Sequence, residues 1–499
     1  MHSQRQSSII RFDFRIVSLL LGVGLCAAFV GCEVPPTPDP TCTADSDCAD
    51  GEQCVNGECV ADSGCTSDDD CGDGEQCVDG ECVAASACTS DDDCAEGEEC
   101  TDGECVPAEQ PQFANQTDRS NNDADYVGST TCAGCHPGVA EQQAIHSHSH
   151  KLTKIEGGPP TFPEEGTRAG IPDPPDGFTW DDISYVIGGY YKKGRFIDTN
   201  GFILITGLLD IPTQWNLDFP PNGNVAGFVD YEGSRETPKP YGHSCFQCHT
   251  TGPLPLDEDF PEFQDGLPGL EGTWEEPGIQ CESCHGPGSN HVADVSARDL
   301  YVDPGSTTCA ECHNRPFNAQ DKVILASNGY IKHHEQYPEL LASGGHSAFN
   351  CGDCHDPHIS TAYDRENAIK QACTDCHANV NMASHEGVTF IRGEYQEVMS
   401  CESCHMPYAT RSGSNATEAV SGPDGRIGDT KTHIFRINTA AEDFASFFNE
   451  DGSEVVRDDQ GQAAVTLDFV CLRCHNGIGN AFSLTVGGAS GVASDMHSE

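Results

Sequence analysis

The stretch Gly278-Ile279-Gln280-Cys281-Glu282-Ser283-Cys284-His285-Gly286-Pro287-Gly288 carries two cysteines three positions apart, with a histidine directly behind the second. Two thiols at that spacing reach the two vinyl groups on one edge of a porphyrin, and the adjacent imidazole is carried under the ring to bind iron. C-x-x-C-H is therefore the attachment signature of c-type haem. A single such motif also suits a disulfide or half of a zinc site. Here it occurs eight times, at Cys132-Cys135-His136, Cys245-Cys248-His249, Cys281-Cys284-His285, Cys309-Cys312-His313, Cys351-Cys354-His355, Cys373-Cys376-His377, Cys401-Cys404-His405 and Cys471-Cys474-His475. Every C-x-x-C pair in the chain ends in His, which sets the disulfide and zinc readings aside and predicts eight covalent haems c.

Outward from these motifs, the remaining cysteines behave differently. The chain holds 30 cysteines, of which sixteen lie in the motifs and twelve repeat at a period of 23 residues as C-x5-C-x5-C-x4-C: Cys42, Cys48, Cys54, Cys59; Cys65, Cys71, Cys77, Cys82; and Cys88, Cys94, Cys100, Cys105. No pair among the twelve is C-x-x-C, and no His lies between His2 and His136. Short units with few apolar residues and an even cysteine count read as disulfide-stapled repeats of an oxidising compartment, with the pairing open. From Glu33 to Pro111 there are 24 acidic residues and no Lys or Arg, a solvated stalk in preference to a calcium site or a dock for a basic partner.

The other two cysteines are Cys26 and Cys32. Arg5, Arg11 and Arg15 precede the apolar run from Ile16 to Gly31, an export signal too short and one-sided for a membrane span. The run ends Phe29-Val30-Gly31-Cys32, which resembles a lipobox with Phe29 in place of Leu, so Cys32 is expected to be lipidated and to anchor the chain to a membrane, in preference to ordinary signal cleavage or an uncleaved anchor. Export agrees with haem attachment outside the cytoplasm and places the protein in the cell envelope, in the periplasm or on the outer membrane. The expected organisation is a signal peptide at 1–31, a Pro-rich linker at 32–41, three Cys-rich repeats at 42–105, a linker at 106–125 and a haem domain at 126–499.

Across 499 residues, 25 Lys+Arg stand against 80 Asp+Glu, a net charge of -55, which excludes nucleic acid as a partner because phosphate attraction needs a basic face. Only 36 % of the residues are hydrophobic, while Gly (53) and Pro (30) are abundant. An apolar core of ordinary size is not available, and haem must supply much of the interior. The expected fold class is mainly α, haem-packed, with short helices and little regular sheet. One strand signal stands out, Asn200-Gly201 between Phe196-Ile197-Asp198-Thr199 and Phe202-Ile203-Leu204-Ile205, a hairpin pattern. Just before it, Lys192-Lys193-Gly194-Arg195 is a rare positive cluster, read as a partner of haem propionates or as a solvated turn.

Each iron needs a sixth ligand or an open position. Methionine is scarce, with Met1, Met382, Met399, Met406 and Met496 in all, so distal ligands are expected to be mostly His. With the eight proximal histidines, His2 and His497 set aside, eleven candidates remain: His146, His148, His150, His243, His291, His333, His334, His346, His358, His385 and His433. His291 and His358 lie too close to His285 and His355 to cross their own haems, so as ligands they would serve a neighbour and hold adjacent haems together.

Several strings resemble the multihaem cytochromes c that include tetrahaem electron carriers, octahaem hydroxylamine oxidoreductases and tetrathionate reductases. They are Tyr126-Val127-Gly128 with His148 beyond the first motif, Thr273-Trp274-Glu275-Glu276-Pro277-Gly278-Ile279-Gln280 before Cys281, Gly286-Pro287-Gly288, His333-His334-Glu335, His346, Asp356-Pro357-His358 and Lys431-Thr432-His433. The resemblance covers about 120–480. It implies bis-histidine haems and long-range electron transfer, with His148, His291, His334, His346, His358 and His433 in positions where such proteins place distal ligands. Hydroxylamine oxidoreductases crosslink their catalytic haem through a Tyr beyond the last motif, whereas the final Tyr here is Tyr408. No motif ends in Lys either, unlike the catalytic haem of pentahaem nitrite reductases.

The expected function is a cell-envelope electron relay serving redox partner proteins, more carrier than enzyme, with no catalytic residue assigned. The alternative is an octahaem reductase or oxidase of a small nitrogen or sulfur compound with one open haem, its pocket drawing on 155–243. The sequence carries no signal of oligomeric state.

Overall fold

A computed structural model of the protein describes residues 119–497, apart from 297–299, 304, 316–322 and 413–424, and six short strands between 52 and 107. The expected signal segment, Cys32 and the other repeat cysteines lie outside these residues. The chain divides into two compact units, Met1–Gln110 and Pro111–Glu499.

In the first unit each repeat forms one antiparallel strand pair with the same register, placing Cys54 opposite Cys59, Cys77 opposite Cys82 and Cys100 opposite Cys105. The dipeptides between the paired strands are Asn56-Gly57, Asp79-Gly80 and Asp102-Gly103, those that two-residue hairpin loops favour. Cys54 and Cys59 are both in disulfides.

The second unit corrects the expectation of a mainly α fold with little sheet. Its largest element is a nine-stranded sheet built from β1 (Leu152–Lys154), β2 (Ile183–Gly188), β3 (Lys193–Asp198), β4 (Phe202–Ile203), β5 (Gln214–Asn216), β6 (Gly227–Val229), β7 (Lys239–Gly242), β8 (Leu254–Pro255) and β9 (Leu270–Thr273). The order runs β6-β5-β3-β4-β7-β9-β8, with β2 and then β1 branching from β3. Strands this short give no readable alternation, and β7 pairs β9 in parallel across a long connection, so most of the sheet is invisible to local pattern.

The hairpin at Asn200-Gly201 is present, with Ile203 opposite Ile197. Asp198 Oδ1 accepts from the amides of Asn200 and Phe202, and Gly201 has φ 87°. A Cβ at Gly201 would come within 2.8 Å of the Leu270 amide, so the turn needs glycine for space as well as for conformation.

Both faces of the sheet are covered. Tyr185, Ile187, Ile197, Ile203, Tyr241, Phe246, Leu270 and Trp274 pack on one side, and Ile183, Val186, Phe196 and Leu204 on the other. Ile183 and Val186 share a face although three positions apart, because a register irregularity between Ile183 and Tyr185 shifts the pleat by one residue. A second apolar cluster, including Ile324, Tyr330, Ile331, Ile434, Phe447, Val465 and Phe469, underlies the later motifs.

Helices are short, as expected. Among the described residues the longest are Pro137–Ile145 and Val486–Ala493, and none is long and apolar enough to cross a membrane.

Candidate haem sites

Four of the eight motifs start a single helical turn, at Cys281–His285, Cys351–Cys354, Cys373–Cys376 and Cys401–His405. Positions i, i+3 and i+4 share one side of such a turn, so two thiols and one imidazole leave the backbone together. The histidine, fifth in the motif, is held by an amide hydrogen bond back to the first residue, as in His136 N to Cys132 O (2.9 Å) and His475 N to Cys471 O (3.0 Å). Residues inside the motif start the turn: Asp353 and Asp375 accept the amides of Asn350 and Ala372 at 2.6 and 2.8 Å. None of the sixteen motif cysteines is in a disulfide.

Glu282 joins the third motif to the segment before the first. Its buried carboxylate accepts from the amides of Val127 (3.0 Å), Gly128 (2.9 Å) and Gly288 (2.8 Å), while Asn121 Nδ2 donates to the carbonyls of His285 and Pro287. Tyr126-Val127-Gly128 and Gly286-Pro287-Gly288 are thus two sides of one hydrogen-bonded joint.

Seven proximal imidazoles face a second imidazole. Ring centroids are 6.4 Å apart for His136 and His291, 6.1 Å for His285 and His358, 6.1 Å for His355 and His433, 5.9 Å for His377 and His346, 5.8 Å for His405 and His497, and 6.1 Å for His475 and His385. His313 has two such neighbours, His148 at 6.1 Å and His334 at 5.6 Å. Two imidazoles sharing one metal at about 2 Å per bond have centroids about 6 Å apart, so these donor pairs fit axial ligation of haem iron.

Several proximal rings are also oriented from behind, as metal-bound histidines are. Nδ1 of His285, His405 and His475 faces the carbonyls of Tyr301, Phe435 and Phe482 at 2.8–2.9 Å, and Nδ1 of His313 faces Gln336 Oε1 at 2.9 Å. Each contact leaves Nε2 free for iron. Burial holds His433 down at about 3, and His148 and His334 well below the ordinary imidazole value, so these rings are neutral and keep a lone pair for metal. His433 is positioned by buried Glu339, which accepts from the Thr432 hydroxyl (2.9 Å) and the His433 amide and which burial pushes up to about 7.

Thus all six histidines drawn from the resemblance stand opposite a proximal histidine of another motif. His385, a candidate without a supporting string, and His497, set aside at the start, do the same. Neither has a local signal, since each partner is supplied by a distant segment. The rest are placed otherwise. His146 packs on His148, His150 on Tyr190, His243 on Phe246, and His333 lies 3.1 Å from an Arg315 nitrogen.

His249 is the exception. Its Nδ1 lies 3.0 Å from the Tyr241 hydroxyl, burial holds it at about 3, and among the described residues no imidazole stands opposite it. It lies in the fields of Lys151 and Arg195, and His334 lies in the field of His249. Arg195 donates to Gln214 Oε1 at 2.8 Å and stacks over Tyr231, with Lys239 over the same ring. The cluster Lys192-Lys193-Gly194-Arg195 is no solvated turn. Lys192 reaches Asp429 at 3.6 Å, Lys193 donates to the Ser412 carbonyl at 2.9 Å, and burial lowers Lys193 to about 7.

The motifs also approach one another through their thiols. Cys132 lies in the electrostatic reach of Cys281, Cys312 of Cys248, Cys309 of Cys351 and Cys373 of Cys401. Weaker thiol–thiol fields link Cys284 with Cys312, Cys354 with Cys376 and Cys471 with Cys404. In motif order the path reads one, three, four, five, six, seven, eight, with the second motif joined at the fourth.

The family model described as cytochrome c554 and c-prime matches residues 230–286, which hold the second and third motifs. The chain is 23 % identical over 219 residues to the multihaem cytochrome MtrA of Shewanella baltica, covering 41 % of this chain and 57 % of that protein. It is 23 % identical over 450 residues to the dissimilatory sulfite reductase MccA of Wolinella succinogenes, covering 70 % and 61 %. Among solved structures, the outer cell wall cytochrome OcwA matches with a TM-score of 0.43 and 16 % identity over 74 % of this chain and 86 % of that one. The Wolinella succinogenes octahaem sulfite reductase MccA matches with a TM-score of 0.44 and 18 % identity over 70 % and 65 %. The chain spans about three fifths of the length of the curated relatives it matches. Its similarity is to multihaem c-type cytochromes, in agreement with its motifs.

Proposed function

We propose that the chain is a cell-envelope cytochrome that relays electrons through eight covalent haems c, seven of them held between two histidines. The observation that carries this reading is the pairing of seven proximal imidazoles with a second imidazole at about 6 Å, in motifs whose thiols lie within electrostatic reach of one another from the first to the eighth. Bound at these positions, haem supplies a one-electron Fe(III)/Fe(II) couple, and bis-His ligation lacks the Met ligand that raises its potential. The chain's own part is to hold each ring, fix the Nε2 lone pair and keep neighbouring sites in contact. Intact mass of the mature protein should show eight haem additions, and a stable form with six or fewer would overturn the count.

A second reading is favoured by His249, which lacks an opposite imidazole and lies near Arg195 and Lys151 in a chain of net charge -55. Cations gathered there against the overall charge suit a small nitrogen or sulfur oxyanion, reduced or oxidised at the one open haem while the relay exchanges electrons with it. On this reading we assign His148 to the position opposite His313, at 6.1 Å, and His334, which lies in the field of His249, to the open position. The oxidised protein should then hold one high-spin haem. His148→Ala should add a second, and His334→Ala should leave the count at one; the reverse outcome would exchange the two roles.

The lipid anchor at Cys32 is part of the same proposal. Cys32→Ser should abolish fatty-acid labelling, and unchanged labelling would rule out the lipobox.

A further inference from the structure

We propose that His497 is the second axial ligand of the iron attached at Cys401, Cys404 and His405, supplied by the segment that follows helix Val486–Ala493. This rests on the haem reading of that motif. The two rings are nearly parallel, with planes 16° apart and centroids 5.8 Å apart, and their Nε2 atoms face each other at 3.5 Å. Both outer nitrogens are occupied, His405 Nδ1 by the Phe435 carbonyl at 2.8 Å and His497 Nδ1 by the Asn381 carbonyl at 2.7 Å. A carbonyl only accepts, so each Nδ1 carries the proton and each neutral ring presents a lone pair on Nε2. Two lone pairs pointed at each other repel, and a hydrogen bond between them would require one ring to become a cation. An electrophile between them satisfies both, and a porphyrin iron fastened to the flanking thiols is that electrophile.

The placement of His497 is built rather than incidental. Thr485 caps the helix by accepting the Gly488 amide at 3.1 Å, and Ala489 is buried against Leu467 and Leu472, which flank the start of the eighth motif. The chain then turns through the Asp495 amide bond to the Val492 carbonyl. Asn381, which orients His497, lies four residues before His385, the ring opposite His475. One short segment thereby serves the seventh and eighth sites together.

The test uses the full-length holoprotein. His497→Ala should retain eight haems by intact mass, convert one low-spin haem to high-spin, and bind one more equivalent of carbon monoxide when reduced than the parent does. Added imidazole should restore the low-spin signal. An unchanged spectrum and unchanged carbon monoxide stoichiometry in an eight-haem mutant would overturn the proposal. If His497→Ala does not accumulate, His497→Met decides. A ligand replacement should keep the haem low-spin and raise the potential of one haem, and no shift would overturn the assignment. Failure of the haem reading itself would appear separately, as a parent protein without a haem addition for Cys401 and Cys404.

Discussion

Replacing Cys309 and Cys312 by alanine is expected to break the electron path into three groups. Cys312 lies in the electrostatic reach of Cys248 and Cys284, and Cys309 in that of Cys351, so the fourth motif is the junction of the second, third and fifth. Without its thioethers that haem is lost, leaving the first and third motifs, the second, and the fifth to eighth as three groups that no thiol pair links among the described residues. Photoreduction of the remaining seven haems should change from one phase to at least two. The slow phase should be at least about tenfold slower, the equivalent of about 1.4 kcal/mol in barrier. Removing Cys471 and Cys474 instead takes away a terminal site and should leave the remaining seven haems reducing in one phase. Equal kinetics in the two variants would refute the path.

The second large effect is on stability. Arg473 sits between Cys471 and Cys474, with a side chain only 2 % exposed, and pairs with Glu397 through bonds of 2.7 and 2.8 Å while donating to the Ser403 carbonyl at 2.9 Å. Removing one member of a buried ion pair leaves a charge without compensation, so Arg473→Leu should cost about 3–5 kcal/mol. Removing both, in Arg473→Leu with Glu397→Leu, should recover much of the loss. Denaturant midpoints of the three proteins measure this, and a double variant no more stable than the single would refute the pairing argument. Burial opposes the Glu397 carboxylate, but Arg473 overcomes it and holds the group at about 2. Its folded value lies below the ordinary carboxylate value. The contribution is therefore complete above about pH 4.5 and is lost as pH falls toward 2. In Arg473→Leu that part of the acid sensitivity should disappear.

How much of the site was legible follows from distance along the chain. Proximal ligation and thioether attachment sit within five residues, and one helical turn brings them together whatever surrounds it. Distal ligands come from elsewhere. The placement of His433 opposite His355 was readable because Lys431-Thr432-His433 resembles a family string, and Glu339 explains that placement physically by accepting from the Thr432 hydroxyl and the His433 amide. His497 had no string, and its role depends on a helix docked against Leu467 and Leu472. The cluster Lys192-Lys193-Gly194-Arg195 was seen as rare charge but misplaced, because its partners Asp429 and Ser412 are more than two hundred residues away.

The sequence by itself determined the chemistry, through eight motifs whose spacing is a local constraint, and it determined the repeat units and the Asn200-Gly201 turn for the same reason. Tertiary structure alone decided three things. It decided that the region 152–273 is a sheet, because strands of two to six residues are stabilised by distant partners and covered on both faces, leaving no alternation to read. It decided which imidazole faces which, because that is set where chain segments pack. It also decided that His249 faces none, since the absence of a partner exists only once every other histidine of the described residues has been placed.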